Sequence, residues 1–179
     1  GRIVIMLELF YPDFEAESTY EIDYEGLYGK GYRGVIFDID NTLVPHGAPA
    51  TKEAAAFFAS LRETGFSTCL LSNNQKPRVA PFADAVGSIY IENAHKPSVK
   101  NYQEACRRMG IKEEQAVFVG DQLFTDVYGA KRTGLYNILT EPINPKEEIQ
   151  IVLKRYLEHI VLFFYERDLA RGRITKKNS

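Results

Sequence analysis

Short apolar runs alternate with helical periodicity along most of this chain. Five runs predict β-strands at residues 34–38, 67–72, 88–91, 116–120 and 136–140. Between them, apolar residues recur at spacings of three and four, which predicts amphipathic helices. Because strands that alternate with helices form parallel βαβ units, we expect an α/β fold with a mainly parallel five-stranded sheet.

Capping and turn residues bound the predicted helices. The first helix follows Thr51, a residue type that caps helix N-termini, and ends before Gly65. A second helix begins near Pro77, and a third lies between Pro97 and Gly110. A further helix is predicted at about residues 126–132. These helices would cross over between neighbouring parallel strands.

The length and composition are those of one soluble globular domain. The chain has 179 residues, of which 45% are hydrophobic and 26% are charged. Its formal net charge of -2 gives no overall attraction to nucleic acid, and no basic patch stands out in the body of the chain. We therefore predict a single domain over residues 1–179 that has no nucleic-acid partner.

Three regions are distinguished within this domain. Residues 1–32 are acidic and aromatic, and we interpret them as a packed lead-in segment with a solvated acidic face. Residues 33–140 contain the alternating strands and helices. Residues 145–179 predict an amphipathic helix that is followed by a basic tail.

The C-terminal region has two open interpretations. Its apolar stripe starts at Ile149, and residues 160–165 are apolar on all sides, although this run is too short to span a bilayer. An interfacial helix would place residues 149–177 on a membrane, with basic residues toward the lipid head groups. The alternative is a helix packed on the body or in a homo-oligomer interface. The basic residues are Arg167, Arg171, Arg173, Lys176 and Lys177.

The N-terminal residues do not form a secretion signal. Residues 3–7 are apolar, but Glu8 ends the run before it reaches the length of a signal-peptide core. We therefore expect a cytoplasmic protein. If the interfacial interpretation of the C-terminal helix holds, the protein would lie at the inner face of the membrane.

Two carboxylates follow the first predicted core strand. Asp38 and Asp40 come after an apolar run that is too continuous for a one-sided strand, so this strand is predicted to be central. Side chains two residues apart on an extended chain point the same way. Neighbouring carboxylates at the end of a buried strand are costly unless they share a proton or a cation neutralises them. The pair therefore indicates a cation site.

Other polar residues follow the remaining strands. Ser72 and Asn73 end the second predicted strand and could donate hydrogen bonds to a phosphate oxygen. Asp121 follows the fourth strand, with Asp126 five residues later, and adds hard oxygen ligands of the kind that Mg²⁺ takes. Lys96 lies just after the third strand. Ligands of open α/β sheets bind at this carboxyl edge.

In this order and spacing, the residues resemble the four motifs of the haloacid dehalogenase (HAD) superfamily. These motifs are Asp-x-Asp-x-Thr, a Ser or Thr at a strand end, a Lys, and Gly-Asp with a further Asp downstream. The resemblance covers residues 33–140. A narrower resemblance lies in the amino-acid sequence at residues 38–44, 71–74, 96–97 and 119–126. These segments are similar to those of the YqeG-type class IIIA phosphatases. That group is in turn similar to the mitochondrial phosphatidylglycerophosphate phosphatases.

The resemblance implies roles for the matching residues. Asp38 becomes the nucleophile that forms an aspartyl-phosphate, and Asp40 becomes the general acid and base. Ser72, Asn73 and Lys96 would bind the phosphoryl group of the substrate. The implied Mg²⁺ would be held by the Asp38 carboxylate, the Asp40 main-chain carbonyl and Asp121. Asp126 would be a ligand through water or a group that orients the ligands.

The segments between the motifs leave no room for a cap domain. The implied fold is therefore a capless (C0), HAD-type, Rossmann-like three-layer structure with an open site. The motif set, the open site and the apolar run with its basic tail favour hydrolysis of a phosphomonoester, and the narrower resemblance suggests phosphatidylglycerophosphate as the substrate. One alternative is a phosphatase for a soluble metabolite or a phosphorylated macromolecule, with a cap supplied by oligomerisation. A more remote alternative is a non-catalytic binding protein that keeps the fold.

Overall fold

The structure is a computed structural model that describes residues 1–175, apart from the side chains of residues 5, 6 and 147–151. Its first compact unit is Gly1–Ile143, and its second begins at Asn144. The helices are α1 (Arg2–Glu8), α2 (Tyr24–Gly29), α3 (Lys52–Thr64), α4 (Lys76–Val86), α5 (Val99–Met109), α6 (Tyr128–Thr133) and α7 (Pro145–Ala170). The strands are β1 (Phe14–Ala16), β2 (Gly34–Phe37), β3 (Ser67–Leu71), β4 (Ile89–Ile91), β5 (Ala116–Gly120) and β6 (Tyr136–Thr140).

The strands form one parallel sheet in the order β1-β6-β5-β2-β3-β4. β2 lies at the centre, where Gly34 is opposite Ser67 on one side and Ala116 on the other. The predicted α/β class and the central position of the strand that carries the aspartates are therefore confirmed. All strands point the same way, so their carboxyl ends meet at a single edge.

The predicted number of strands was too small by one. β1 lies at the edge of the sheet and pairs with β6, where Phe14 is opposite Ile138. The Asp13 carboxylate fixes this pairing because it accepts hydrogen bonds from the main-chain N and Nδ2 of Asn137, at 3.1 and 2.8 Å. A three-residue edge strand inside an acidic segment carries too little alternation to be recognised from the sequence.

Two cores cover the two faces of the sheet and give the three layers. Val35 and Phe37 of β2 belong to one core, together with side chains of α2, α3 and α4. Ile36 belongs to the other, with side chains of α5 and α6. These three β2 side chains have no exposed surface, and burying each contributes about 1.5–3 kcal/mol of hydrophobic free energy. The residue that follows β2 therefore has a rigid support.

The helix boundaries follow the predicted capping residues. The Thr51 hydroxyl accepts a hydrogen bond from Ala54 N at 3.0 Å and starts α3. Gly65 ends the helix in the left-handed conformation with φ 114°, which glycine adopts without steric cost. Only α3 lies between β2 and β3, and α4 and β4 fill the chain between β3 and Lys96. This confirms the capless architecture.

The α7 helix comprises 26 residues. Many of its large apolar side chains are exposed, including Ile160, Phe163 and Phe164. Across the described residues, no helix combines the length and the apolar character that crossing a membrane requires. The side chain of Ile149 and the predicted tail residues Lys176 and Lys177 lie outside the described part of the chain.

Candidate active site

Two aspartates mark the carboxyl edge of the central strands. Asp38 comes directly after β2, and its main-chain N donates a hydrogen bond to Val119 O of β5 at 3.0 Å. Asp121 comes directly after β5. Since β2 and β5 are hydrogen-bonded neighbours, the Asp38 and Asp121 carboxylates emerge at neighbouring strand ends of one edge.

Three carboxylates form one cluster at this edge. One oxygen each from Asp38, Asp121 and Asp126 lies within 4.8 Å of the others. The Thr42 hydroxyl lies between two of them, 3.1 Å from Asp121 Oδ1 and 3.4 Å from Asp38 Oδ2. Thr42 therefore ties the loop after β2 to the end of β5.

Asp126 reaches the cluster through a π-helical turn at Leu123–Val127. The helix predicted at residues 126–132 begins as this turn and continues as α6. The main-chain N of Gln122 donates to Asp126 Oδ2 at 3.1 Å, and the residue is only 1% exposed. A Cβ atom on Gly120 would overlap the Asp126 carboxylate. Glycine at the end of β5 is therefore required for this close approach.

Lys96 neutralises part of the cluster. Its Nζ lies 3.0 Å from Asp38 Oδ1 and 2.8 Å from Asp126 Oδ1, and its side chain is 3% exposed. Burial lowers the pKa of Lys96, but the Asp126 and Asp38 carboxylates outweigh that effect and raise it above the usual value. Burial also raises the pKa of Asp126 to about 6, against the opposing effect of the Lys96 ammonium. Lys96 is therefore a fixed positive charge at the site.

The main chain of Lys96 is held by Asn73. Lys96 N donates to Asn73 Oδ1 at 2.7 Å, and Asn73 Nδ2 donates to Lys96 O at 3.2 Å. Both the Oδ1 and the Nδ2 atom of Asn73 thus contact the main chain of Lys96. Asn73 was predicted to bind the substrate together with Lys96. That role for Asn73 stays a prediction, while its contact with Lys96 was not foreseen.

Ser72 is buried at the end of β3. Its Oγ accepts a hydrogen bond from Asn74 N at 3.0 Å. Its main chain is fixed by Ile91 O and Ala94 N, at 3.1 and 2.9 Å. Asp38 follows β2, Ser72 follows β3 and Lys96 comes after β4. All three residues therefore belong to the carboxyl edge of the sheet, where the motifs were expected.

The sequence predicted that the Asp40 side chain would point the same way as that of Asp38 and share its cation site, but the carboxylate cluster among the described residues does not include Asp40. Its Oδ1 accepts from Gly47 N at 2.7 Å and from Arg78 Nη2 at 2.9 Å, and its Oδ2 accepts from Asn74 Nδ2 at 2.7 Å. The contacts made by Asn74 and Arg78 were missed from the sequence. Arg78 lies in the first turn of α4, where no motif marks it as different from an ordinary surface arginine.

The lead-in segment supports the loop that follows Asp38. Tyr20 Oη donates to Leu43 O at 2.6 Å, and Thr19 Oγ1 donates to Thr42 O at 3.0 Å. Tyr24 Oη in turn donates to Thr19 O at 2.9 Å. Burial raises the pKa of Tyr20 to about 12, so this hydroxyl stays a donor at neutral pH. The hydroxyl groups of Thr19 and Tyr20 therefore fix the loop that follows Asp38.

The donor set fits a divalent cation such as Mg²⁺. Three carboxylates carry three negative charges where they are ionised, whereas Lys96 supplies one positive charge within the cluster. Carboxylate oxygens are the hard ligands that Mg²⁺ prefers. A cation here would offset the repulsion that remains between Asp38 and Asp121.

Known proteins with similar sequences fall into one family. A family model described as haloacid dehalogenase-like hydrolase matches residues 47–134. "Probable phosphatase YqeG" of Bacillus subtilis is 34% identical over 91% of this chain and 95% of its own length. "Phosphatidylglycerophosphate phosphatase 1, chloroplastic/mitochondrial" of Arabidopsis thaliana is 28% identical over 90% of this chain, which covers 49% of that protein.

A solved structure agrees with the fold. The crystal structure of an uncharacterized protein from Corynebacterium glutamicum has a TM-score of 0.51 and 23% identity, and covers 68% of this chain and 93% of its own. The sequence similarity to the Bacillus subtilis protein extends over nearly the full length of both chains. The chain therefore belongs to the haloacid dehalogenase-like hydrolases, in their group of YqeG-type phosphatases.

Proposed function

We propose that the chain is a magnesium-dependent phosphomonoester hydrolase that forms an aspartyl-phosphate on Asp38. One observation carries this proposal: the Asp38 carboxylate lies 3.0 Å from Lys96 Nζ and in one cluster with Asp121 and Asp126. A nucleophile, a cation for the phosphoryl oxygens and ligands for a metal are thus together. Phosphoryl transfer depends mainly on such positioning and charge stabilisation.

In the first step, an Asp38 oxygen attacks phosphorus and the bond from phosphorus to the leaving oxygen breaks. Lys96 and Ser72 bind the phosphoryl oxygens, where negative charge is concentrated. Asp40 gives its proton to the leaving alkoxide, which departs as an alcohol. Because the Asp40 carboxylate faces Asn74 and Arg78, it must turn about its side-chain torsions to reach the leaving group.

In the second step, water attacks the aspartyl-phosphate and gives a proton to Asp40. Inorganic phosphate leaves, and the Asp38 carboxylate is restored. Asp38, Asp121 and the main-chain carbonyl of Asp40 would hold Mg²⁺, with Asp126 beside them. When bound, the metal ion would withdraw charge from the phosphoryl oxygens.

We infer that the substrate is phosphatidylglycerophosphate. The relative from Arabidopsis thaliana carries that substrate in its name and matches 90% of this chain. The capless architecture supports this inference, because an open site admits a phosphate presented on a large surface. This chain spans about half the length of that relative. The relative's substrate therefore enters here only as a proposal.

We also propose that α7 touches the membrane that holds such a lipid. In the helix, residues 160–165 are apolar on all sides and exposed. An interfacial helix buries its apolar residues at the boundary between lipid head groups and acyl chains. Arg167, Arg171 and Arg173 follow this run and would lie near anionic head groups.

The Asp38→Asn variant tests the nucleophile. We expect kcat for an aryl phosphate to fall at least about 10³-fold, because the amide cannot form the aspartyl-phosphate. Asp84→Asn is the matched control, since Asp84 is exposed on α4, and it should keep the wild-type rate. Activity that survives in Asp38→Asn, or in EDTA, would contradict the mechanism.

The Lys96→Met variant tests the charge balance of the cluster. Removing one partner of a buried ion pair costs about 3–5 kcal/mol. The Asp126 pKa of about 6 in the folded state exceeds the unfolded value of about 3.9, so the folded state binds more protons between these values. The free energy of unfolding therefore falls as pH rises through this range.

Loss of Lys96 removes the charge that opposes this rise in pKa, so the variant should lose more stability at pH 7.5 than at pH 5. Thermal unfolding in EDTA measures the effect, with the exposed Lys100→Met as control. Saturating Mg²⁺ should raise the unfolding temperature of the wild-type protein. Equal destabilisation of Lys96→Met at both pH values would show that its charge does not control the cluster.

Substrate preference tests the lipid assignment. The wild-type protein with Mg²⁺ should turn over phosphatidylglycerophosphate in mixed micelles with kcat/KM at least about tenfold above that for soluble sugar phosphates, a difference of about 1.4 kcal/mol. Phosphate release measures both rates, and Asp38→Asn supplies the background. A preference for a soluble compound would refute the lipid assignment and leave the chemical mechanism intact.

Co-sedimentation with anionic liposomes tests the role of α7. The double variant Ile160→Asp, Phe163→Asp should bind at least about tenfold more weakly, because it places charge in the apolar run. Tyr11→Asp changes an exposed aromatic residue outside α7 and should bind as the wild type does. Equal binding by all three proteins would contradict membrane contact through this helix.

A further inference from the structure

Arg78 has binding capacity that its contact with Asp40 does not use. Its Nη2 lies 2.9 Å from Asp40 Oδ1, and its side chain is 19% exposed. Its Nε has no hydrogen-bond acceptor within the part of the chain that the structure describes. A guanidinium group has five N–H donors arranged for bidentate binding of an anion, so Arg78 can bind a further anionic group.

A cavity of about 380 Å³ lies beside this guanidinium. Its wall is largely apolar, with Pro49, Pro77, Pro81 and Phe82 among the lining residues, and Arg78 is the one charged residue in that lining. Gly47 also lines the cavity, and its main-chain N donates to the same Asp40 oxygen as Arg78. The cavity therefore adjoins the Asp40 side chain.

The cavity adjoins a residue, Asp40, that is close in sequence to the proposed nucleophile Asp38. Asp38 and Asp40 are two residues apart, which corresponds to about 7 Å on an extended backbone. Asp38 contacts Lys96, whereas Asp40 contacts Arg78. Each cation thus contacts one of two carboxylates that are two residues apart. A substrate with two anionic groups joined by a short spacer would match this arrangement, and the apolar wall of the cavity suits its carbon atoms.

We propose that Arg78 is a specificity-determining residue that binds a second anionic group of the substrate. The favoured class is a phosphomonoester whose leaving alcohol carries another phosphate about three carbon atoms away. This inference rests on the proposed phosphatase function. A second anion bound to the Arg78 guanidinium weakens its contact with Asp40, which lets the Asp40 carboxylate turn more easily.

Two soluble probes separate this effect from membrane contact. Glycerol 1-phosphate has one anionic group, and glycerophosphoglycerol phosphate is the same glycerol phosphate with a phosphodiester on its far carbon. Calorimetric titration uses the intact Asp38→Asn protein, so binding is measured without turnover. The probe with two anionic groups should bind about 10–100-fold more tightly, as expected for charge-assisted hydrogen bonds.

Adding Arg78→Met to this protein should abolish the difference between the probes, and Arg78→Lys should retain part of it because the charge remains. Lys76→Met is the matched control, since it removes an exposed charge from the same turn of α4, and the difference should persist. Equal affinity of both probes for Asp38→Asn, or equal loss of affinity for both on Arg78→Met, would overturn the proposal.

Kinetics of the otherwise unchanged protein complete the test. Arg78→Met should lower kcat/KM for the probe with two anionic groups about 10–100-fold more than for glycerol 1-phosphate, mainly through KM. If the wild-type protein with Mg²⁺ hydrolyses neither probe and does not hydrolyse phosphatidylglycerophosphate in mixed micelles, the proposed function fails, whatever the titrations give. If it hydrolyses both and Arg78→Met affects both equally, only the inference about Arg78 fails.

Discussion

Lys96 Nζ lies within 3.0 Å of both Asp38 and Asp126, in a site where neither the ammonium nor the Asp126 carboxylate is solvated. Separating any of these charges from its partners would leave it uncompensated in a medium of low dielectric. The residues around this ammonium group must therefore hold it in place. Asn73 fixes its main chain, and Gly120 leaves the space that Asp126 needs.

The central sheet makes this constraint possible. β2 is covered on both faces and paired on both edges, so Asp38 starts from backbone that cannot shift without disturbing both cores. The loop beyond it is fixed from the N-terminal side, where Tyr20 and Thr19 donate to its carbonyl groups. A site that must hold like charges close together thus has support from elements distant in sequence.

The sequence predicted the positions that follow from strand order and missed the contacts that depend on side-chain direction. Asp38 and Asp121 were placed together because the carboxyl ends of parallel strands share one edge. The sequence predicted that the Asp40 side chain would point the same way as that of Asp38, but its carboxylate binds Arg78, which the packing of α4 brings to the loop. β1 was missed for a related reason, because its pairing depends on Asp13 reaching Asn137 across the chain.

The capless architecture changes where selectivity can arise. A cap domain would surround the leaving group, but here only the helix α3 separates β2 from β3. Contacts to the substrate therefore come from residues at the carboxyl edge of the sheet. In the proposed mechanism, Lys96 binds the transferring phosphoryl group, because it lies 3.0 Å from Asp38. Arg78 lies against Asp40, whose proposed task is to protonate the leaving group. The proposed roles of these two residues would therefore couple recognition of the leaving group to its protonation through one ion pair, without a lid.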